Sequence, residues 1–274
     1  MDLSRALEIA TQSDKGMVRS HNEDAVFANP VAGFAVLADG MGGYNAGEVA
    51  SGMATALLGT ELEKSFAERE PYRVEPDGRL WARVVLETEI ARCNGAIYQA
   101  AQSQPQYAGM GTTLVAAVFY DNSLTVAHIG DSRLYRLRGE EFGPITRDHS
   151  LLQEQIDSGI ITAEQARHSQ NRNLVTRALG VDPAVEPEIR DYDVQPGDIY
   201  LLCSDGLNDM VDDEEIAMTL QALAANLELC ATQLVQMAND NGGRDNVSVI
   251  LVRIKEEFSA PRGGWLARLL AWFK

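Results

Sequence analysis

Apolar positions along the chain fall into two periods. Short runs rich in β-branched and aromatic residues, bounded by polar or glycine-bearing stretches, predict strands at Ala6–Thr11, Ala25–Ala28 and Phe34–Ala38. The spacing then changes. Val49, Met53, Ala56, Leu57, Thr60 and Leu62 recur at the period of a helix with one buried face, from Ala46 to about Phe66. A charged, proline-bearing connection leads to a second long helix, Leu80 to about Gln102, with Trp81, Val84, Val85, Ile90 and Ile97 available for packing. Next, "TTLVAAVFY" and "SLTVAHIG" flank Asp121-Asn122 as a hairpin, and a third run, "SRLYRLR", follows. Ile145–Gly180 is polar and predicted mostly helical, with capping boxes at Ser150/Gln153 and Thr162/Gln165 and a C-cap at Gly159 between them. The rest reads as a strand at Ile199–Cys203, helices near Asp213–Ala224 and Leu227–Ala238, and a strand at Val247–Ile254. Strands flank a block of helices rather than alternating with single ones, so the class is α+β.

Composition narrows the function more than the fold. A formal net charge of −17 repels a phosphate backbone, which disfavours a nucleic-acid partner. Cys93, Cys203 and Cys230 form neither a CxxC pair nor an even-numbered framework, so a reducing compartment fits best. The N-terminus has no charged-then-apolar signal pattern, and no apolar run reaches the roughly 20 residues of a membrane span. The expected location is cytoplasmic.

Chemistry enters at the strand ends. "VLADG" closes an apolar run with Asp39, "VAHIGDSR" with Asp131 and "YLLCSDGL" with Asp205, while "GGRDNVSVILV" sets Asp245 just before a run; Glu23-Asp24 also precede one. Each aspartate alone reads as a turn, because Asp-Gly is a common turn dipeptide. On a shared sheet end, however, the carboxylates converge and repel, and a cation relieves that. Carboxylate and carbonyl donors without His or Cys suit Mg²⁺ or Mn²⁺. Arg19 stands four residues before Glu23, and two readings are open for it. One is a fork for phosphate oxygens beside the cations; the other is a surface charge or an ion pair with Glu23 or Asp24.

"RSHNEDA", "ADGMGG", "GMGTTLVAAV", "HIGDSRLYRL", "CSDGL" and "GGRDNVSVILV", in this order, resemble the PPM family of metal-dependent (type 2C) serine/threonine protein phosphatases, and the compact bacterial members most. The resemblance runs from about Leu7 to Ile254 and implies two antiparallel β-sheets packed as a sandwich and flanked by helices. It implies that Asp39, Asp205 and Asp245 hold one Mn²⁺ or Mg²⁺. Asp39 and the Gly40 carbonyl hold a second, with Glu23 or Asp24 bonding its waters. Asp131 and Asp205 bind a third, weaker one. Arg19 matches the phosphate clamp, Asn246 supports the site, and Arg147–Gly180 falls where bacterial members carry a mobile flap. The implied activity is hydrolysis of phosphoserine and phosphothreonine by attack of a metal-bridging hydroxide, on protein substrates of a bacterial Ser/Thr kinase. Some members have a histidine after the Asp-Gly pair as leaving-group acid; here Met41 stands there. Of the remaining histidines, His128 reads as structural in its strand, and His149 and His168 as surface residues of the flap. Two alternatives remain open, a catalytically silent module of the same fold that binds phosphoproteins and a phosphatase of small metabolites.

These features divide the chain into a catalytic domain, 1–256, and a tail, 257–274. In the tail, "WLARLLAWFK" follows a Pro-Arg-Gly-Gly break and places Trp265, Leu266, Leu269, Leu270 and Phe273 on one helical face. The expectation for 261–274 is a weak contact with a membrane surface or a partner, or docking on the chain's own acidic domain.

Overall fold

The computed structural model describes residues 2–43, 46–162, 165–166 and 174–260. The expectation for 261–274, and His168, lie outside the described residues. Eleven strands among the described residues form two antiparallel sheets. The first has the order β1 (Leu7–Asp14), β11 (Val247–Ile254), β10 (Ile199–Cys203), β7 (Arg133–Arg138), β8 (Glu141–Pro144). The second runs β2 (Asp24–Asn29), β3 (Phe34–Met41), β5 (Leu114–Tyr120), β6 (Ser123–Ile129), β9 (Glu188–Asp193), with the short β4 (Gly111–Thr112) beside β3.

The sheets pack face to face, and each carries helices on its outer side. Side-chain alternation explains why the central strands are continuous apolar runs. In β5, Val115, Ala117 and Phe119 point between the sheets, and Ala116 and Val118 point out at helices α1 (Ala46–Glu68) and α2 (Trp81–Ser103). In β11, Ile250 and Val252 meet the opposite sheet, while Val249 and Leu251 meet the two helices on the other face, Asp213–Leu223 and Leu227–Asp240. Phe119 and Tyr200 meet edge-on across the interface, with ring centroids 5.4 Å apart. The α+β sandwich implied by the resemblance is the fold observed. The β5–β6 hairpin turns at Asp121 and Asn122 with φ of 45° and 54°, the left-handed pair that matches strand twist. These two side chains also accept from the Ala260 and Phe258 N–H groups at 2.7 Å, which fixes the start of the tail on the domain.

The polar block differs from its expectation. Its one helix with defined ends among the described residues is α3 (Leu151–Asp157), capped by Ser150, whose Oγ accepts from the Gln153 N–H at 3.2 Å. Gln153 does not complete a box with Ser150, because its amide donates to Asp157 at 2.7 Å. The Thr162/Gln165 box is reciprocal, at 2.8 and 3.2 Å. Farther on, two isolated bridges tie the chain down: Val175 pairs with Ser150, and Leu179 with Thr112.

Candidate active site

One end of the sandwich collects the aspartates. Asp24 opens β2 and is the cross-strand partner of Asp39. Asp39 lies where β3 changes partner, from β5 at Leu37–Val115 to β4 at Gly40–Thr112. Its backbone is consumed there. The N–H donates to Thr113 Oγ1 at 3.0 Å, and the carbonyl accepts from the Thr113 N–H at 2.9 Å and Thr112 Oγ1 at 2.8 Å. Gly40 follows because nothing larger fits: a Cβ there would sit 2.1 Å from the Gly47 carbonyl oxygen. From the other sheet, Asp205 follows β10 after Ser204 and opens a single helical turn, α4 (Asp205–Asn208), and Asp245 leads into β11. Asp131 follows β6 after Gly130.

The carboxylates feel one another. Burial, then the charges of Asp24, Asp205, Asp131 and Asp245, push Asp39 well above the usual carboxylate range. Burial does the same to Asp205, followed by Asp131, Asp209, Asp245 and Asp24. Burial lifts Asp24 to about 6 against the opposing pull of hydrogen bonds from Ser248 and Ser204, and lifts Asp131 to about 6 with help from Asp148. Glu23 is raised too, chiefly by burial. Oδ2 of Asp24 accepts from Ser204 Oγ at 2.8 Å, but Oδ1 is buried with no hydrogen-bond donor, and so is Oδ1 of Asp205. Buried, unpartnered carboxylate oxygens in a mutually repelling, oxygen-only set are what a hard divalent cation satisfies, so these residues fit Mg²⁺ or Mn²⁺.

Arg19 reaches the cluster from the loop between β1 and β2. Its Nη2 lies 2.6 Å from Asp245 Oδ2, and its side chain is half exposed at 50%. The partner is therefore neither Glu23 nor Asp24. Asn246 holds that loop in place. Its Oδ1 accepts from the Glu23 N–H at 2.8 Å, and its Nδ2 donates to the carbonyls of Lys15 (2.9 Å) and His21 (2.8 Å). A cavity of about 760 Å³ opens beside the cluster. Asp131, Asp205, Asp209, Asp212 and Asp213 line it together with Arg147, Leu152 and Gln153.

His149 corrects a sequence expectation: it is buried at 7% exposure, not a surface residue, because Arg147–Ser150 is drawn under Gly130 and against Val175. Its ring stacks on His128 with centroids 4.7 Å apart, and Glu188 Oε2 lies 3.7 Å from its Nε2. His128, His149 and Glu188 are close enough to suggest a second cation site. The stacking argues against one. Rings inclined by 18° aim their in-plane lone pairs along neighbouring, nearly parallel planes, so one ion cannot lie in both. Burial, reinforced by His128 and Arg177, pushes the His149 pKa down to about 4, so the ring is neutral at physiological pH. The sequence missed this pair of rings; the clue available was Asp148-His149-Ser150, a polar triplet directly before a capped helix.

Comparison with known proteins gives one consistent result. The family profile described as Protein phosphatase 2C matches residues 17–240. The chain is 42% identical over 248 residues to the serine/threonine protein phosphatase PstP of Mycobacterium tuberculosis, covering 90% of this chain and 45% of that protein. The chain thus spans less than half the length of that relative. It is 38% identical to the serine/threonine phosphatase stp of Listeria welshimeri, covering 88% of this chain and 93% of that one. The crystal structure of the PstP catalytic domain with two manganese ions superposes with a TM-score of 0.79 and 40% identity, covering 92% of this chain and 99% of that one.

Proposed function

The chain belongs to the protein phosphatase 2C family, and we propose that it removes phosphate from phosphoserine and phosphothreonine in proteins with two Mn²⁺ or Mg²⁺ ions. The observation that carries this reading is the aspartate cluster at the sandwich end, with buried carboxylate oxygens of Asp24 and Asp205 that no hydrogen donor reaches. Asp39, Asp205 and Asp245 would hold the first cation. Asp39 and the Gly40 carbonyl would hold the second, with Glu23 or Asp24 bonding its waters. Asp131 and Asp205 would hold a third, weaker one. When bound, the cations supply Lewis acidity at the phosphoryl oxygens and a nucleophilic water at neutral pH.

The chain's own residues do the rest. The Arg19 fork binds the phosphoryl oxygens bidentately, exchanging its contact with Asp245 for the substrate. Asn246 keeps the Arg19 loop docked. Met41 has no proton to give, and the neutral, buried His149 is committed to the backbone, so protonation of the leaving serine or threonine oxygen falls to solvent in the cleft. The substrates are products of a Ser/Thr kinase. The three cysteines are buried and unpaired, which supports a reducing, cytoplasmic setting. No helix among the described residues is long and apolar enough to cross a membrane.

The test is phosphate release from a phosphothreonine peptide and from an aryl phosphate, with Mn²⁺, with Mg²⁺ and with EDTA. Asp39→Asn is expected to lower kcat by roughly 10³-fold or more while the protein stays folded. Near-normal turnover in that variant, or turnover in EDTA, removes the metal assignment. Turnover of the aryl phosphate alone favours a small-molecule phosphatase.

A further inference from the structure

One residue holds both polar backbone atoms of Gly130. The Gly130 N–H donates to His149 Nδ1 at 3.2 Å, and the His149 N–H donates back to the Gly130 carbonyl at 2.9 Å. Gly130 adopts φ +97°, a conformation that L side chains rarely take, and it directly precedes Asp131. On its other side a Cβ would lie 2.7 Å from Thr113 Cγ2. The turn that aims Asp131 is thus wedged between Thr113 and His149. Thr113 belongs to the site as well, since its Oγ1 takes the Asp39 N–H and lies 2.7 Å from Ser132 Oγ. His149 itself is fixed from behind. It stacks on His128, whose Nε2 contacts the Arg147 carbonyl at 2.8 Å, and its own carbonyl accepts from the Thr176 N–H at 2.8 Å. Because Nδ1 is the acceptor, the ring proton sits on Nε2, and the Nδ1 lone pair is spent on Gly130 alone.

We propose that His149 is a positioning residue for the Asp131 cation site: its Nδ1 fixes the Ile129–Gly130 peptide, its backbone N–H holds the Gly130 carbonyl, and together they couple the Asp131 carboxylate to the Arg147–Ser150 root of the polar block. The inference rests on the reading that Asp131 and Asp205 bind the third, weaker cation. A residue that only filled space would act through ring volume. A positioning residue acts through the acceptor. Two substitutions separate these roles. His149→Phe keeps a ring to stack on His128 and removes the acceptor. His149→Asn loses the ring and keeps an acceptor, because Asn Oδ1 branches where His Nδ1 does.

The experiment is calorimetric Mn²⁺ titration of the full chain, with Asp131→Asn as reference and thermal melts of every variant. The wild type should show two tight equivalents and a weaker third, and Asp131→Asn should lose only the third. His149→Phe should weaken the third by about tenfold, the effect of one lost buried hydrogen bond, and leave the two tight equivalents unchanged. His149→Asn should stay within about threefold of wild type at the third site, even where its melting temperature falls further than that of His149→Phe. An unchanged third site in His149→Phe overturns the proposal, and so does equal weakening in both variants that tracks their loss of stability. If His149→Phe does not fold, loss of the third site in a folded His149→Asn overturns it by itself. An Asp131→Asn variant that binds like wild type fails differently: it removes the third-cation reading, and the role of His149 with it.

Discussion

Arg19 is the residue whose environment says most about its task. It is half exposed, held by one contact to Asp245, and surrounded by the charges of Glu23 and Asp205. A cation held by Asp245 would compete for the same oxygen and so leave the guanidinium available to a phosphate. Arg19→Ala should therefore raise KM for a phosphothreonine peptide by roughly 10-fold to 100-fold, the range of a charge-assisted pair, and leave Mn²⁺ affinity unchanged or slightly tighter. Steady-state kinetics with a parallel Mn²⁺ titration checks both halves, and an unchanged KM makes Arg19 a surface charge. The aspartates were legible in the sequence because each interrupts an apolar run, which is a local signal. The partner of Arg19 was not, since Asp245 lies 226 positions away and only the pairing of β1 with β11 brings them together. His149 was misplaced at the surface for a related reason. Its neighbours are polar, and what buries it is a long-range contact with Gly130.

At the scale of elements, the sequence revealed what is buried on a regular period. Helices α1 and α2 show one apolar face, and β5, β10 and β11 are apolar on both, so each was readable. Of the four edge strands, β8 and β9 were not. β9 reads "EIRDYD" and β8 "EFGP", because an edge is protected by charge or proline, which erases the strand signature. The loop between β1 and β2 also gave no regular signal, and one side chain maintains its shape. Asn246 is buried at 5% exposure and serves three backbone groups of that loop. Asn246→Ala should destabilise the protein by about 2–4 kcal/mol, leaving buried polar groups unpaired. It should also raise KM, because the loop carries Arg19. Asn246→Asp keeps an acceptor for Glu23 but loses both donors, and should fall between. Urea unfolding and kinetics on the three proteins test this order; a stable Asn246→Ala with normal KM refutes it.

The aspartate cluster draws on both sheets, so its charge acts on the whole molecule. Asp39, Asp205, Asp24 and Asp131 all have raised pKa values in the folded, metal-free protein, the last two near 6. A carboxyl raised on folding binds more protons folded than unfolded. Its contribution is full below the unfolded value, 3.8, and is lost as pH rises through the folded value. In EDTA the melting temperature should therefore fall as pH rises from about 4 through about 6 and beyond, since Asp39 and Asp205 are raised as well. Saturating Mn²⁺ should reverse the fall, because the ion binds the ionised cluster and stabilises only the folded state. Thermal melts across that range, with EDTA and with Mn²⁺, provide the check. A flat profile in EDTA means the carboxylates do not converge as described.

The same charge reaches past the cluster to the substrate. Asp209, Asp212 and Asp213 line the cavity beside the site, and Asp212 and Asp213 are exposed. The two arginines lining it are already engaged, Arg133 with Asp148 at 2.7 Å and Arg147 with Asp157. A body of net charge −17 adds a long-range field of the same sign. On the proposed function, a phosphorylated segment would bring its own dianion through this field, and basic residues flanking the phosphothreonine would offset the repulsion. Peptides with Lys or Arg flanks should thus exceed matched Asp or Glu peptides in kcat/KM by about tenfold or more at low salt. The difference should shrink severalfold at 0.5 M salt, where the screening length is only a few ångströms. Asp212→Asn with Asp213→Asn should narrow the same ratio without changing aryl phosphate hydrolysis, because neither side chain belongs to the cation set. A ratio insensitive to salt and to both substitutions would place peptide selection in shape rather than charge.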